Sequence, residues 1–358
     1  MSNKYFKGLD TLRAIAAFIV VFAHIELIKT ENNLDGYGGI DASRFPDAHL
    51  AVVLFFVLSG FLITNLLLKE KEVTGQVLLK KFYIRRIGRI WPLYYFVLLL
   101  SYILFLPTLQ AKTIAMCLAI FPNVAHALNI GWKVSPQVWS IGVEEQFYLF
   151  WPLLIYFLQT KYLIRTLILF TIGYTFLPHL IHWWNNYFLD SQEVNEFISR
   201  FFYLSKFNCM SIGGIFGSMY SLKRKELQFF YQSYISYTAI ILSLVLWFIG
   251  FSTAYFNDVF YSVIFGIMIL NLATNSNLKF SIDSKASAFL GKISYGIYMY
   301  HWIVILLLVR FIPVKQISSP ALYNLLLYSA SISGTILVSF LSFYYFENKL
   351  RHAINKED

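Results

Sequence analysis

Arg13 and His24 lie in one apolar stretch, "LDTLRAIAAFIVVFAHIELI" (9–28), that is otherwise suited to cross a membrane. A charged group in hydrocarbon costs about 2.5–3.5 kcal/mol on insertion scales, so chains seldom carry one there without use. Eleven residues apart on a helix, the two side chains share a face and lie about 16 Å apart along the axis. An imidazole so placed can take a proton from a hydroxyl, and a guanidinium can hold a phosphate or a developing oxyanion. Each also has a structural alternative: a histidine satisfied by a neighbouring helix, and an arginine snorkelling among headgroups.

Three further stretches concentrate polar groups. "KKFYIRRIGRIWPLYY" (80–95) sets Arg86 and Arg89 three apart on one helix face, with Arg85, Lys80 and Lys81 close by. Guanidinium pairs of this kind bind phosphate bidentately, although basic residues also stop transfer at many inner membrane edges. "WSIGVEEQFYLFWP" (139–152) places Glu144, Glu145 and Gln146 one to two turns into a span. Successive helical residues diverge by about 100°, so at most one of the two carboxylates faces a common centre. An acidic pair at a helix N-terminus, favoured by the helix dipole, is the competing account. "ISYGIYMYHW" (293–302) brings Ser294, Tyr298 and His301 to one face at i, i+4 and i+7. There His301 serves equally well as a packing residue satisfied by a tyrosine.

The elements that hold these groups are helices. The chain is 58% hydrophobic and 13% charged over 358 residues, with a mean hydropathy of +0.60, which defines an all-α polytopic membrane protein. A window of about 20 residues gives spans at 11–29, 48–68, 90–106, 139–158, 162–184, 201–220, 228–250, 257–274, 287–312 and 320–346, ten helices in one bundle. The segment 111–131, with a short apolar core cut by Pro122, reads as re-entrant or interfacial. Residues 1–350 then form one integral membrane domain, and 351–358 a short cytoplasmic tail. The 69–90 loop is rich in lysine and arginine and is expected in the cytoplasm, which leaves the acidic 30–47 loop outside and both termini cytoplasmic, in a plasma membrane.

The net charge of +10 follows from this topology and calls for no nucleic acid, since no nucleic-acid motif is present. Cys117 and Cys209 are expected to be buried hydrophobes, and no ligand set for a metal is apparent.

Five motifs in order resemble the membrane acyltransferase-3 family over most of the chain: "LDTLRAIAAFIVVFAH", "VVLFFVLSGFLIT", "RRIGRIWPLYY", "VWSIGVEEQFYLFWPLL" and "GKISYGIYMYHW". Thr11 and Gly142 depart from the family's usual glycine and serine. The resemblance implies ten spans, the short form without an extra-cytoplasmic hydrolase-like domain, and an acyl-coenzyme A-dependent O-acyltransferase. Its expected co-substrate is acetyl-coenzyme A or another acyl-coenzyme A, without a metal, and its acceptor a carbohydrate or lipid-linked glycan of the cell surface. On that reading Arg86, Arg89, Arg85 and Lys81 hold the coenzyme phosphates, and His24 is the base. Arg13, Glu144 and Glu145 assist at the reacting centre, and Gln146, Tyr298, His301 and Ser294 bind the acceptor. Direct attack by the acceptor and an acyl-histidine intermediate both remain open. The rival from another class is a proton-coupled transporter using the same polar residues as a relay, and a non-catalytic scaffold for polysaccharide assembly is the third reading.

Overall fold

A computed structural model describes residues 6–34, 46–312, 317 and 319–350, and every regular element among them is helical. The order is α1 (Leu9–Glu31), α2 (Ala48–Thr74), α3 (Leu79–Phe105), α4 (Ala111–Leu118), α5 (Pro122–Ala127), α6 (Val138–Phe157), α7 (Thr160–Phe188), α8 (Gln192–Leu204), α9 (Phe207–Ser221), α10 (Leu227–Phe230), α11 (Ser233–Phe248), α12 (Asn257–Thr274), α13 (Lys285–Phe311) and α14 (Pro320–Ser342). A π-helical turn, Phe343–Glu347, continues α14. Seven of the helices, α1, α2, α3, α7, α12, α13 and α14, are long and apolar enough to cross a membrane on their own. α6, α9 and α11 pack against these with 20, 15 and 16 residues. The tail expected at 351–358 and most of the 30–47 loop lie outside the described residues.

Several expected boundaries move, for physical reasons. The loop expected at 69–90 shrinks to the few residues after Gly75, whose φ of +79° ends α2 in the left-handed conformation that glycine adopts freely. Its basic residues instead ride helices, Lys69 and Lys71 the end of α2 and the other five the first three turns of α3. The span expected at 201–220 breaks at Ser205–Lys206, between α8 and α9, and that at 228–250 divides into α10 and α11. The segment 111–131 forms two short helices. At about 1.5 Å per residue neither reaches far into a hydrocarbon core about 30 Å thick. Pro122 opens α5, where its missing N–H is no loss. Asn123, fully buried, ties α5 to α6 by a reciprocal amide pair with Gln146 at 3.2 and 2.8 Å, and to Ser205 at 3.2 Å.

Close packing of backbones sets the crossing of α2 and α9, which bounds the cavity described below. α2 and α9 make the most extensive contact in the bundle. There a Cβ on Gly60 would strike the Met210 carbonyl, and one on Gly213 the Val57 carbonyl. Small residues allow helices in lipid to approach this closely, where van der Waals contact replaces the hydrophobic drive. Gly60→Ala or Gly213→Ala should therefore lower the melting temperature of detergent-solubilised protein, by a destabilisation of about 1–3 kcal/mol for overpacking. Gly173→Ala, with open space around it, should leave melting unchanged, and equal melting of all three variants would contradict the packing.

α1 is fastened at one end to the residues that lead into α13, by Thr11, whose Oγ1 donates to Asp283 Oδ1 at 2.9 Å, and by Gly8 N, which donates to Asp283 Oδ2 at 2.8 Å. Near its other end Lys29, 1% exposed, pairs with Glu26 at 3.0 Å and donates to Asn324 Oδ1 at 2.9 Å, while the Tyr328 hydroxyl donates to Glu26. An ion pair in so dry a place persists because each charge is satisfied several times over. Together these contacts fix the rotation of α1, and so the direction in which Arg13 and His24 face.

Candidate active site

A cavity of about 530 Å³ runs between α1, α2, α3, α6, α9 and α13, a volume within the usual range for small-molecule sites. Its lining on α2 extends from Val52 to Glu72, which at helical rise is a length of about 30 Å. Five cations, Arg13, Lys69, Arg86, Arg89 and Lys223, line it against two carboxylates, Glu72 and Glu144. Such a surplus attracts a polyanion. Arg86 is held rather than mobile: its guanidinium carbon stands 5.4 Å from the Phe82 ring centre and 5.3 Å from that of Tyr148. Cation–π contact on both rings orients the planar fork before any ligand arrives. Arg13 is steadied by Asp10 Oδ1 at 2.9 Å, one turn back on α1.

The two adjacent carboxylates separate as helical geometry requires. Glu144 faces the cavity and accepts from the Ser59 hydroxyl at 2.5 Å, while the Tyr148 hydroxyl donates to Ser59 at 3.1 Å. Glu145 turns the other way and accepts from Trp91 Nε1 at 2.6 Å, joining α6 to α3. Hydrogen bonds to charged groups are worth about 1.5–3 kcal/mol, or roughly 10–100-fold in rate when a reacting group depends on them. Glu144→Gln should accordingly lower turnover by about that factor while melting changes little. Glu145→Gln should lower the melting temperature and spare turnover, and the reverse pattern would contradict the assignment.

Deeper in, Ser140 Oγ and the Tyr298 hydroxyl meet at 2.7 Å, and Tyr298 also donates to the Gln137 carbonyl at 3.2 Å. Both residues line the cavity, as does Ser294, whose hydroxyl donates to Gly291 O at 2.8 Å. Behind Tyr298 stands a histidine pair. His24 Nδ1 is 2.7 Å from His301 Nε2, and the two rings lie edge to edge, with centres 5.0 Å apart and planes 12° from parallel. His301, fully buried, places its Nδ1 2.6 Å from the Tyr298 carbonyl. A carbonyl only accepts, so His301 Nδ1 carries the hydrogen and, in the neutral ring, Nε2 offers a lone pair. His24 Nδ1–H then donates to it, which leaves His24 Nε2 unprotonated and available as a base. The tautomers here are assigned from hydrogen bonding. His301 orients His24 as the third group of a triad orients its base.

Of the residues singled out from the sequence, Arg13, Arg86, Arg89, Glu144, Ser294 and Tyr298 are brought together around the cavity. His24 and His301 form the pair at its deep end without lining it. Arg85 is exposed, and neither it nor Lys81 reaches the cavity, being turned away on α3. Gln146 uses its amide on Asn123, so it holds α5 in place rather than facing the cavity. Ser59, Tyr148, Ser140, Lys69 and Lys223 emerge only from the fold. Tyr148 lies one turn beyond Glu144 on the same face, and Ser59 is a lone polar group in "AVVLFFVLSGFLI" (51–63), signals that periodicity could have given.

A helical membrane bundle with a long, cation-rich cavity that ends in hydroxyl groups beside a histidine pair can hold a polyanion close to groups able to move a proton. Residues 6–344 match the acyltransferase domain family, and the chain belongs to that family of membrane acyltransferases. It is similar to the peptidoglycan O-acetyltransferase OatA of Listeria monocytogenes, 28% identical over 98% of this chain and 56% of that protein. A putative O-acetyltransferase of Staphylococcus aureus strain COL is 28% identical over 97% of this chain and 58% of its own length. O-acetyltransferase OatA of S. aureus strain NCTC 8325 is 26% identical over 98% and 58% respectively. The chain thus spans rather more than half the length of these relatives. No solved structure matches it. Among the described residues no cluster of histidine, cysteine, aspartate or glutamate is arranged to hold a metal ion.

Proposed function

We propose that this acyltransferase moves an acyl group, acetyl by analogy with its named relatives, from a coenzyme A thioester to a hydroxyl of a carbohydrate acceptor. The observation that carries this reading is the continuity from the cation-rich cavity to the Tyr298–His301–His24 chain. The diphosphate and ribose phosphate of coenzyme A suit Arg86, Arg89, Lys69 and Lys223, and the narrow arm suits a lining that follows α2 for about 30 Å. The thioester then lies near Ser140 and Tyr298, whose hydroxyls can turn from the Gln137 carbonyl and from each other to donate to its carbonyl oxygen as charge develops. The acceptor hydroxyl attacks the carbonyl carbon as its proton passes to His24 Nε2. A C–O bond forms and the C–S bond breaks. The sulfur leaves and takes the proton back from His24, so the products are an ester and the free thiol. Glu144 holds Ser59 and offers a carboxylate to the approaching groups, and Arg13 sits beside the coenzyme.

The end of the bundle bearing Arg86 and Arg89 faces the cytoplasm of a plasma membrane by the excess of lysine and arginine there. Purified protein in sealed vesicles, supplied with acetyl-coenzyme A and an N-acetylglucosamine oligomer, should release free thiol. It should do so only when donor is added on the side where an impermeant reagent labels a cysteine at position 78. Thiol release from the opposite side would refute the orientation, and none from either side would refute the reaction and favour the transporter.

A further inference from the structure

At the other end of α2 from the cation-rich mouth lies a second polar site. His49 and Lys69 are twenty residues apart on that helix, hence about 30 Å. His49 Nε2 donates to Asp258 Oδ1 at 3.0 Å, and Lys206 pairs with the second carboxylate oxygen. The Tyr203 ring stacks on the His49 imidazole, with centres 4.5 Å apart and planes at 15°, and the Lys206 ammonium stands 4.9 Å from its centre. Tyr203, Lys206 and Asp258, with His49 behind them, border a pocket of about 250 Å³ enclosed by α7, α8, α9 and the start of α12, slightly below the range for drug-sized ligands and large enough for a single ring.

Three features indicate what it takes. The ion pair is balanced, so the site has no surplus charge to select a phosphate. Hydrogen-bonding groups are numerous and already aimed: Asp258 is fixed from both sides with a second lone pair on each oxygen, and Asn257 uses its carbonyl oxygen on Thr253 N at 3.0 Å, leaving its amide N–H groups outside that contact. Finally, Phe256, a wall of the pocket, is 46% exposed and holds a φ of +59°, a left-handed conformation that is a genuine outlier for a bulky side chain. Strain of this kind persists where the surroundings impose it, and it keeps an aromatic ring at the pocket's edge. A balanced set of carboxylate, ammonium and amide groups beside an aromatic ring matches one chemistry, the hydroxyls and C–H face of a neutral sugar ring.

We infer that this pocket is a carbohydrate subsite that holds one ring of the acceptor at the face of the membrane opposite the donor entrance; the inference rests on the proposed O-acyltransfer. Asp258 and Asn257 take ring hydroxyls and Phe256 packs on the ring face.

Chitotetraose serves as the probe, with binding to detergent-solubilised protein measured by equilibrium dialysis and, separately, thiol release from acetyl-coenzyme A. Because Asp258→Asn strands Lys206, the decisive variant is Phe256→Gly, which relieves the positive φ and should keep or raise the melting temperature. Phe256→Gly should weaken chitotetraose binding by at least tenfold and raise the acceptor KM with kcat little changed. Wild-type affinity and KM in that variant, or no chitotetraose binding by the wild type, overturns the subsite. Binding that depends on Phe256 without thiol release would uphold the subsite and overturn the transfer reading instead.

Discussion

Arg86→Ala combined with Arg89→Ala should weaken acetyl-coenzyme A binding by about two to four orders of magnitude, since hydrogen bonds to charged groups are worth about 1.5–3 kcal/mol each. The loss should shrink as salt is raised, because screening already weakens the phosphate contacts of the wild type. Arg86→Lys should recover little, because a point charge cannot reproduce a planar fork held 5.4 and 5.3 Å from two ring centres, those of Phe82 and Tyr148. Arg85→Ala is the control: that side chain does not line the cavity, and its loss should leave affinity unchanged. Titration of solubilised variants with acetyl-coenzyme A measures this, and equal affinities across the set would refute the donor site.

His24→Ala should reduce acyl transfer by at least about 10²–10⁴-fold, the range for a general acid–base group. Its affinity for the donor should match the wild type, since His24 does not line the cavity. His301→Asn should reduce transfer by a smaller factor, because the imidazole of His24 would lose its 2.7 Å partner but keep its place. With labelled acyl donor and no acceptor, a two-step route leaves label on His24 and direct transfer leaves none. Steady-state rates and donor binding on the same preparations separate these effects. A folded His24→Ala protein that transfers at the wild-type rate would reduce the histidine pair to a structural hydrogen bond.

Much of this arrangement can be read along the chain. The long apolar runs of α1, α2 and α13 announce themselves, and the angle between consecutive helical residues already required Glu144 and Glu145 to part. The inward face shared by Ser294 and Tyr298 follows from the same periodicity, and both line the cavity. His301 departs from that face to meet His24. That contact links residues 277 apart, and no local pattern states which helices are neighbours. The break between α8 and α9 is hidden for a similar reason. The run "FISRFFYLSKFNCMSIGGIFG" (197–217) is rich in apolar residues on both sides of Lys206, and its interruption makes sense only when Lys206 finds Asp258 on α12. At α3 the error lies in hydropathy itself. Lys80, Lys81, Arg85, Arg86 and Arg89 depress the window average, yet all favour a helix and their stems cover apolar surface, so the helix begins at Leu79, well before the apolar run. Gln146 shows the limit of motif reading. A conspicuous polar residue beside two carboxylates serves the packing of α5, through Asn123, and not the cavity.

A structure of the protein bound to acetyl-coenzyme A tests the account most directly, because it fixes which end of the cavity receives the nucleotide and where the thioester stops. The phosphates are expected against Arg86 and Arg89, and the thioester carbonyl beside Ser140 and Tyr298, at the end of the cavity next to the His24–His301 pair. A nucleotide bound away from these arginines, or a thioester that stops short of Tyr298 near Lys69 and Glu72, would contradict the proposed path of the acyl group.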